Sequence, residues 1–240
     1  MAKMHTRFGI VPDYEQILEQ NYSKLLREGD CVLDIGAHIG RHTRKFSELV
    51  GASGKVHAFE PLPYAFERLN VHKILQNVML YNIAVSDTNG TASFVFADGA
   101  PEESGFREKT YNNPLQTVPT IIQVQKTTLD SLSDKIGKVD FVKIDVEGAE
   151  IACLEGAKRI IAANRPVITV EYGRPSYSAY DNTASSLFRV AQDMGYVIGD
   201  MFGSYCLELQ IWERACDVSY WDWFLVPVEK IETWAAAFRS

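Results

Sequence analysis

Four ionisable side chains crowd into "KIDVEGAE", residues 143–150. Lys143 interrupts an apolar run, and Asp145 and Glu147 follow it at a spacing of two. In extended backbone alternate residues share a face, so Lys143 and Asp145 point the same way. An unpaired ammonium in an apolar strand is costly, so Lys143 requires an acid, and Asp34, Asp145 and Glu171 are the candidates. Glu171 ends a second apolar run, "ITVEYG". Carboxylates at two neighbouring strand ends can take the proton of an acceptor hydroxyl or orient it. They can instead share a hard cation such as Mg²⁺, with Asp145 and Glu171 as ligands. Glu171 can also simply pair with Lys143, and these alternatives stay open. Glu150 opens the helix that follows, where an acid suits the helix dipole and reads as structural.

A second constellation lies upstream in "CVLDIGAHIGRHT", residues 31–43. An apolar run ends in Asp34, and Gly36, Ala37, His38 and Gly40 lead into a helical stretch. A dinucleotide fingerprint needs glycine where the backbone meets the pyrophosphate. Counting from Gly36, those positions hold His38 and Arg41, which disfavours that class. S-adenosylmethionine has no phosphate. Its carboxylate needs exposed backbone N–H groups at a helix start, and its ammonium needs an acid such as Asp34. Glu60 and Pro61 close the next apolar run, where an acid suits a pair of ribose hydroxyls. Adenine is then expected near Ala84, Val85, Ser86 and Asp87, although an Asp before "TNG" also suits a plain turn.

These residues require an alternating scaffold. Strand-like runs "CVLDIG", "KVHAFEP", "VMLYNIAVS", "VDFVKIDVEG" and "PVITVEYG" alternate with helical stretches "RHTRKFSELV", "YAFERLNVHKILQ", "EIACLEGAKRIIAAN" and "SSLFRVAQDMG". Such a pattern means a doubly wound α/β sheet, mostly parallel, with its ligand beyond the carboxyl ends of the strands. A helix from Asp13 to Glu28 forms a cap within residues 1–30, ahead of a main domain over 31–240. The tail, "YVIGD", "YCLELQIW" and "DWFLVPV", reads as an antiparallel edge followed by a last helix, "EKIETWAAAF". Residues 88–127 interrupt the alternation with two antiparallel strands around a polar loop. A loop of that length inside a domain reads as an insertion over the active edge. After the fifth strand, Tyr172, Arg174, Tyr177 and Tyr180 are candidate contacts to a sugar-like acceptor.

Composition narrows the partners. The 240 residues carry a net charge of -7 without a Lys/Arg run, unlike a protein that grips nucleic-acid phosphates. No apolar run approaches the ~20 residues of a membrane span. The N-terminus lacks the apolar core of a signal peptide, and the four cysteines form no CxxC pair, so the expected location is cytoplasmic. Nothing in the sequence sets an oligomeric state.

Taken in order, "LDIGAHIGRHTRKF", "VHAFEPLPYAFERL", "NIAVSDTNGTASF", "TTLDSL", "VDFVKIDVEGAEIACLEGA" and "RPVITVEYG" resemble the FkbM-type methyltransferases over about residues 31–173. The resemblance implies a seven-stranded Rossmann-like sheet and S-adenosyl-L-methionine as cofactor. It also implies methyl transfer to a hydroxyl of a sugar or secondary-metabolite-like acceptor, a small molecule or a glycan. His38 stands where that family often has Asn. N-methylation on the same fold, or a cofactor-binding module without activity, are the rival readings.

Overall fold

The computed structural model describes residues 12–71, 76–218 and 220–239. The chain begins with α1 (Tyr14–Leu25), β1 (Cys31–Ile35), α2 (Arg41–Val50), β2 (Lys55–Phe59), α3 (Pro63–Val71) and β3 (Val78–Tyr81). Then come β4 (Ala84–Val85), β5 (Gly90–Asp98), β6 (Val118–Thr127), α4 (Ser133–Ile136), β7 (Phe141–Ile144), α5 (Glu150–Glu155), α6 (Lys158–Asn164) and β8 (Val167–Glu171). The last part holds α7 (Arg174–Tyr177), α8 (Ala184–Asp193), β9 (Tyr196–Gly199), β10 (Tyr205–Cys206), α9 (Leu209–Ala215), β11 (Asp222–Pro227) and α10 (Ile231–Ala236).

β1 is buried at every position, as a strand covered on both faces must be. It pairs in parallel with β2 and β7, and the sheet runs β10-β9-β11-β8-β7-β1-β2-β3. β11 is antiparallel to both β8 and β9, which gives the expected antiparallel edge. The two-residue β10 adds an eighth strand to the seven that the resemblance implied. Winding reverses between β1 and β7, and in such sheets the ligand crevice opens beyond the strand ends at that point.

Alternation along the strands feeds two cores. Val32, Phe46, Phe141, Phe224 and Trp234 pack on one face with Leu18 and Tyr22 of α1. Leu33, Ile35, Val142, Ile144, Ile168 and Trp212 pack on the other. Burying side chains of this size contributes ~1.5–3 kcal/mol each, so α1 is part of the body of the domain.

Several elements differ from the sequence reading. "VMLYNIAVS" breaks after Tyr81, and Ala84–Val85 joins a separate three-stranded sheet, β4-β6-β5. That sheet contains the expected antiparallel pair, β5 with β6. "YCLELQIW" is strand only at Tyr205–Cys206 and turns helical at Leu209. "EIACLEGAKRIIAAN" is two helices, parted at Gly156, where an added Cβ would stand 2.0 Å from the Ser86 carbonyl oxygen. The first helix stops at Leu25 because Leu26 is extended. The helix read from "YAFERLNVHKILQ" is seen to Val71, and residues 72–75 lie outside the described residues.

The loop after β1 crosses β7 at close range. Gly36 has φ +82, and a Cβ there would lie 1.7 Å from the Asp145 carbonyl oxygen. Gly36→Ala is therefore expected to lower the unfolding free energy by at least about 2 kcal/mol, since the new Cβ meets both left-handed strain and backbone. Urea denaturation measures this as a lower midpoint at unchanged slope. Parental stability would mean that the crossing relaxes freely.

Candidate functional site

A cavity of about 420 Å³ opens at the carboxyl ends of β1, β2, β7 and β8, within the ~300–1,000 Å³ of small-molecule sites. Gly36, Ala37, His38, Glu60, Pro61, Ala84 and Val85 line one side. Lys143, Asp145, Glu147 and Glu171 line another, so the two sequence constellations meet in one space. Glu15 of α1 and Pro101, Glu103, Phe106 and Asn112 of the insertion also reach it.

Four of the expected cofactor residues, Asp34, Gly40, Ser86 and Asp87, do not line the cavity. Asp34 is 0% exposed; its Oδ2 accepts from the Thr43 hydroxyl of α2 at 2.5 Å, and its buried Oδ1 has no partner among the described residues. Gly40, φ +85, caps α2 where a Cβ would lie 2.5 Å from Leu69 Cδ1. Its part is close packing. Asp87 is exposed, and its Oδ1 accepts from the hydroxyls of Ser86 and Thr88 at 3.1 Å. It serves the turn and does not line the cavity.

Glu60 is buried, and its two oxygens accept the backbone N–H groups of Leu62 at 2.8 Å and His38 at 2.7 Å. Burial pushes its pKa up to about 7, with the two backbone bonds pulling the other way. Each carboxylate oxygen keeps a further lone pair for a ligand hydroxyl. His38 adopts φ 47, a left-handed conformation in which Asn, Asp and His are enriched. That preference suits a His at this position, as it would the Asn that the resemblance implies there. Burial lowers the His38 pKa, and its buried Nε2 has no hydrogen-bond partner among the described residues. The backbone turn, the acid with lone pairs to spare and the unpartnered imidazole nitrogen together fit a polar cofactor such as S-adenosylmethionine.

The carboxylates of Asp145, Glu147 and Glu171 lie within 4.8 Å of one another. Lys143 Nζ donates to Asp145 Oδ2 at 2.8 Å, which resolves its choice of partner. Burial opposes both charges. The Lys143 ammonium and the hydrogen bond from Glu171 nonetheless hold Asp145 well below the usual carboxylate range, while the Asp145 and Asp34 carboxylates raise Lys143. Burial and the Asp145 charge drive the Glu171 pKa well up, and the two carboxyl groups lie within hydrogen-bonding reach. Glu147, at φ 58, pairs with Lys109 Nζ and accepts from Ser176 Oγ at 3.1 Å. Burial and Asp145 still raise its pKa to about 6. The trio has the oxygen donors that a hard cation prefers. Yet two of the three already hold an ammonium, and Mg²⁺ would have to sit against both. The residues present do not fit a resident divalent cation.

Lys109 escaped the sequence reading because it lies 38 residues before its partner, in a polar loop without periodicity. The loop after β8 also differs from expectation. Tyr172 is fully buried and its hydroxyl donates to the Thr183 carbonyl at 2.7 Å. Tyr177 stacks on it and donates to Asp217, which also binds Arg174. None of Tyr172, Arg174, Tyr177 or Tyr180 lines the cavity. Among the described residues no helix is long and apolar enough to cross a membrane.

Burying acids makes the fold sensitive to pH. Burial pushes Glu150, wholly enclosed beneath the Gly148 N–H, up to about 8. With Glu60 at about 7, both acids stay protonated in the folded chain at pH values where the unfolded chain has ionised them. Stability from this source is complete below the ordinary carboxylate range and is lost as pH rises through the folded values. The ligand-free protein should thus lose unfolding free energy from about pH 5 to about pH 8, by at most ~1.4 kcal/mol per pH unit and group. Glu150→Gln should flatten the slope. Denaturant titrations across this range test it, and a rise in stability with pH would contradict the buried-acid account.

No curated protein matches the sequence at a significant level. Among solved structures, a methyltransferase FkbM from Methylobacillus flagellatus aligns over 85% of this chain with 14% identity and a TM-score of 0.52. This chain spans 47% of that structure's length. Aeropyrum pernix fibrillarin with natively bound S-adenosyl-L-methionine aligns over 83% of this chain and 67% of its own, at 14% identity and TM-score 0.48. An rRNA methylase from Streptococcus thermophilus aligns over 90% of this chain and 96% of its own, at 10% identity and TM-score 0.46. The methyltransferase FkbM domain matches residues 34–198. With that match over more than half of its length, on an α/β sheet of the same kind, the chain belongs to the FkbM methyltransferase family.

Proposed function

We propose that this chain transfers a methyl group from S-adenosylmethionine to a hydroxyl oxygen of a neutral acceptor, a sugar or a secondary-metabolite-like alcohol. One observation carries the reading: the glycine turn with Glu60 and the carboxylates of Asp145, Glu147 and Glu171 open into the same cavity. When bound, the cofactor supplies a methyl on a sulfonium, already activated for displacement.

The chain's own residues do the rest. The N–H groups of Gly36, Ala37, His38 and Gly40 are donated within the chain, so the spare lone pairs of Glu60 and the His38 imidazole are the groups that hold the polar ends of the ligand. An alcohol is a weak nucleophile at neutral pH and gains from a base whose pKa lies near the working pH. Glu147, at about 6, meets that condition. Asp145, held strongly acidic by Lys143, is a poor proton acceptor but a good fixed acceptor of a hydrogen bond, so it orients the hydroxyl. As the acceptor oxygen takes the methyl that the bound cofactor would supply, its proton would pass to Glu147. Cations at the cavity are already engaged, Arg41 by Glu19 at 2.7 Å and Lys143 by Asp145. An anionic acceptor, a nucleic acid included, therefore finds no unpaired Lys or Arg among the described lining residues.

Labelled methyl transfer to a panel of glycans, alcohols, amines and RNA tests the reading. Alcohol labelling supports it, while labelling confined to amines or RNA overturns it. Asp145→Asn should slow turnover by about 10²–10⁴ with cofactor affinity little changed. A chelator should leave the wild-type rate intact, since no cation fits the trio. Activity that needs Mg²⁺ would refute that point.

Glu60 gives a second measurable outcome. Its carboxylate accepts from the ribose best when ionised, so S-adenosylhomocysteine should bind more tightly as pH rises through about 7. Glu60→Ala should weaken binding by about 1.5–3 kcal/mol per lost charge-assisted bond at most and remove this pH dependence. Calorimetry that finds the affinity unaltered would take Glu60 off the ribose.

A further inference from the structure

The segment 101–112 of the insertion runs as a strap across the mouth of the cavity. On its inner side Phe106 and Glu103 line the cavity, and Phe106 meets Phe94 of β5 edge-on, with ring centroids 5.3 Å apart. Gly105 is bridged to Val95 by backbone hydrogen bonds in both directions, at 2.7 and 3.2 Å. These contacts moor one end of the strap to β5.

The other end grips the turn after β8. Arg107 Nη1 donates to the Ala179 carbonyl at 2.9 Å and to Asp181 Oδ2 at 2.7 Å, and its backbone N–H donates to the Tyr180 hydroxyl oxygen at 3.3 Å. The Arg107 and Asp181 side chains are 50% and 86% exposed, so water screens this grip. Lys109 is placed differently. Its ammonium binds Glu147 with side-chain exposures of 7% and 14%, and Ser176 donates to the same Glu147 oxygen. A shielded pair resists loss of one partner far more than an exposed one does.

We propose that Lys109 latches this strap over the reaction centre, as the positioning residue that aims Glu147 and holds Phe106 as a wall against the acceptor. Closure through Lys109 fixes one direction for a carboxylate whose backbone already sits in a left-handed turn. It also makes the inserted loop, and not the tyrosines after β8, the determinant of which acceptor fits. The acceptor half of this proposal rests on the methyl-transfer reading, whereas the latch does not.

Hydrogen exchange read by mass spectrometry, on the whole chain saturated with S-adenosylhomocysteine, separates the two. Lys109→Met should speed exchange over residues 105–112 and 174–181 by about tenfold or more, while β1 and β7 keep their protection. Lys109→Arg should restore the slow exchange, and Arg107→Ala, which cuts only the screened grip, should have a small effect. With an acceptor in hand, Lys109→Met should raise its KM by about tenfold and leave S-adenosylhomocysteine affinity unchanged. Unchanged exchange in Lys109→Met, or equal loosening of β1 and β7, would overturn the latch. Faster strap exchange in a chain that methylates nothing supports the latch while removing the methyl-transfer reading.

Discussion

The site depends on one buried ion pair. Lys143 is 3% exposed in the middle of a parallel sheet, a position where a lone ammonium is not tolerated. It is held by Asp145 at 2.8 Å, with Asp34 close enough behind to raise it further. Removing one partner of such a pair leaves the other charge uncompensated, at a cost of about 3–5 kcal/mol. The pair also fixes where everything else stands. Asp145 lies in contact range of Gly36, so its position sets the path of the turn after β1. The Asp145 carboxylate also raises Glu171 and Glu147. The end of β7 thus limits the turn after β1 through the Asp145 backbone carbonyl, and shifts the neighbouring acids through the Asp145 carboxylate.

Around that pair the chain gathers segments far apart in sequence. Glu15 arrives from α1, which is clamped to α2 where Glu15 meets His42 Nε2 at 2.6 Å and the Tyr22 hydroxyl meets His42 Nδ1 at 3.1 Å. His38 and Glu60 arrive from the first two strands and are tied together through the His38 N–H. The insertion arrives from the small second sheet. Each segment carries its own internal bonds, so the cavity wall is assembled from parts that are already rigid, as a preformed site requires.

Much of this was legible in the sequence because the sheet imposes a period. Fully apolar strands between helical stretches give the parallel order, and strand ends give the cavity-lining acids at 60, 145, 147 and 171. Legibility failed wherever the backbone leaves that period. Asp34 sits one residue inside the end of β1, so its side chain turns to Thr43 and not outward. Asp87 stands in a turn that bonds to itself. Glu147 points at Lys109 because its own φ is positive, a choice no alternation rule contains. The tyrosines after β8 looked available only because a sequence does not display Asp217 and Thr183, which hold their hydroxyls. Even the division of one helix at Gly156 follows from contact with Ser86, seventy residues upstream.

The charge balance of the centre explains why three clustered acids need no cation to coexist. Like charges this close oppose one another's ionisation. Here two are matched by lysines reaching in from opposite directions, Lys143 from within β7 and Lys109 from the strap. The third, Glu171, is pushed up by burial and by the Asp145 charge, which favours its neutral form beside Asp145. What results is a cluster of nearly balanced charge and not an anionic cage. Its carboxylates differ in basicity because their partners differ: Asp145 touches a wholly enclosed ammonium and is strongly acidic, while Glu147 shares its load with a hydroxyl and is raised. Under the methyl-transfer proposal, two acids on one short turn, pushed apart by their surroundings, are suited to separate tasks, one to orient an acceptor and one to receive its proton.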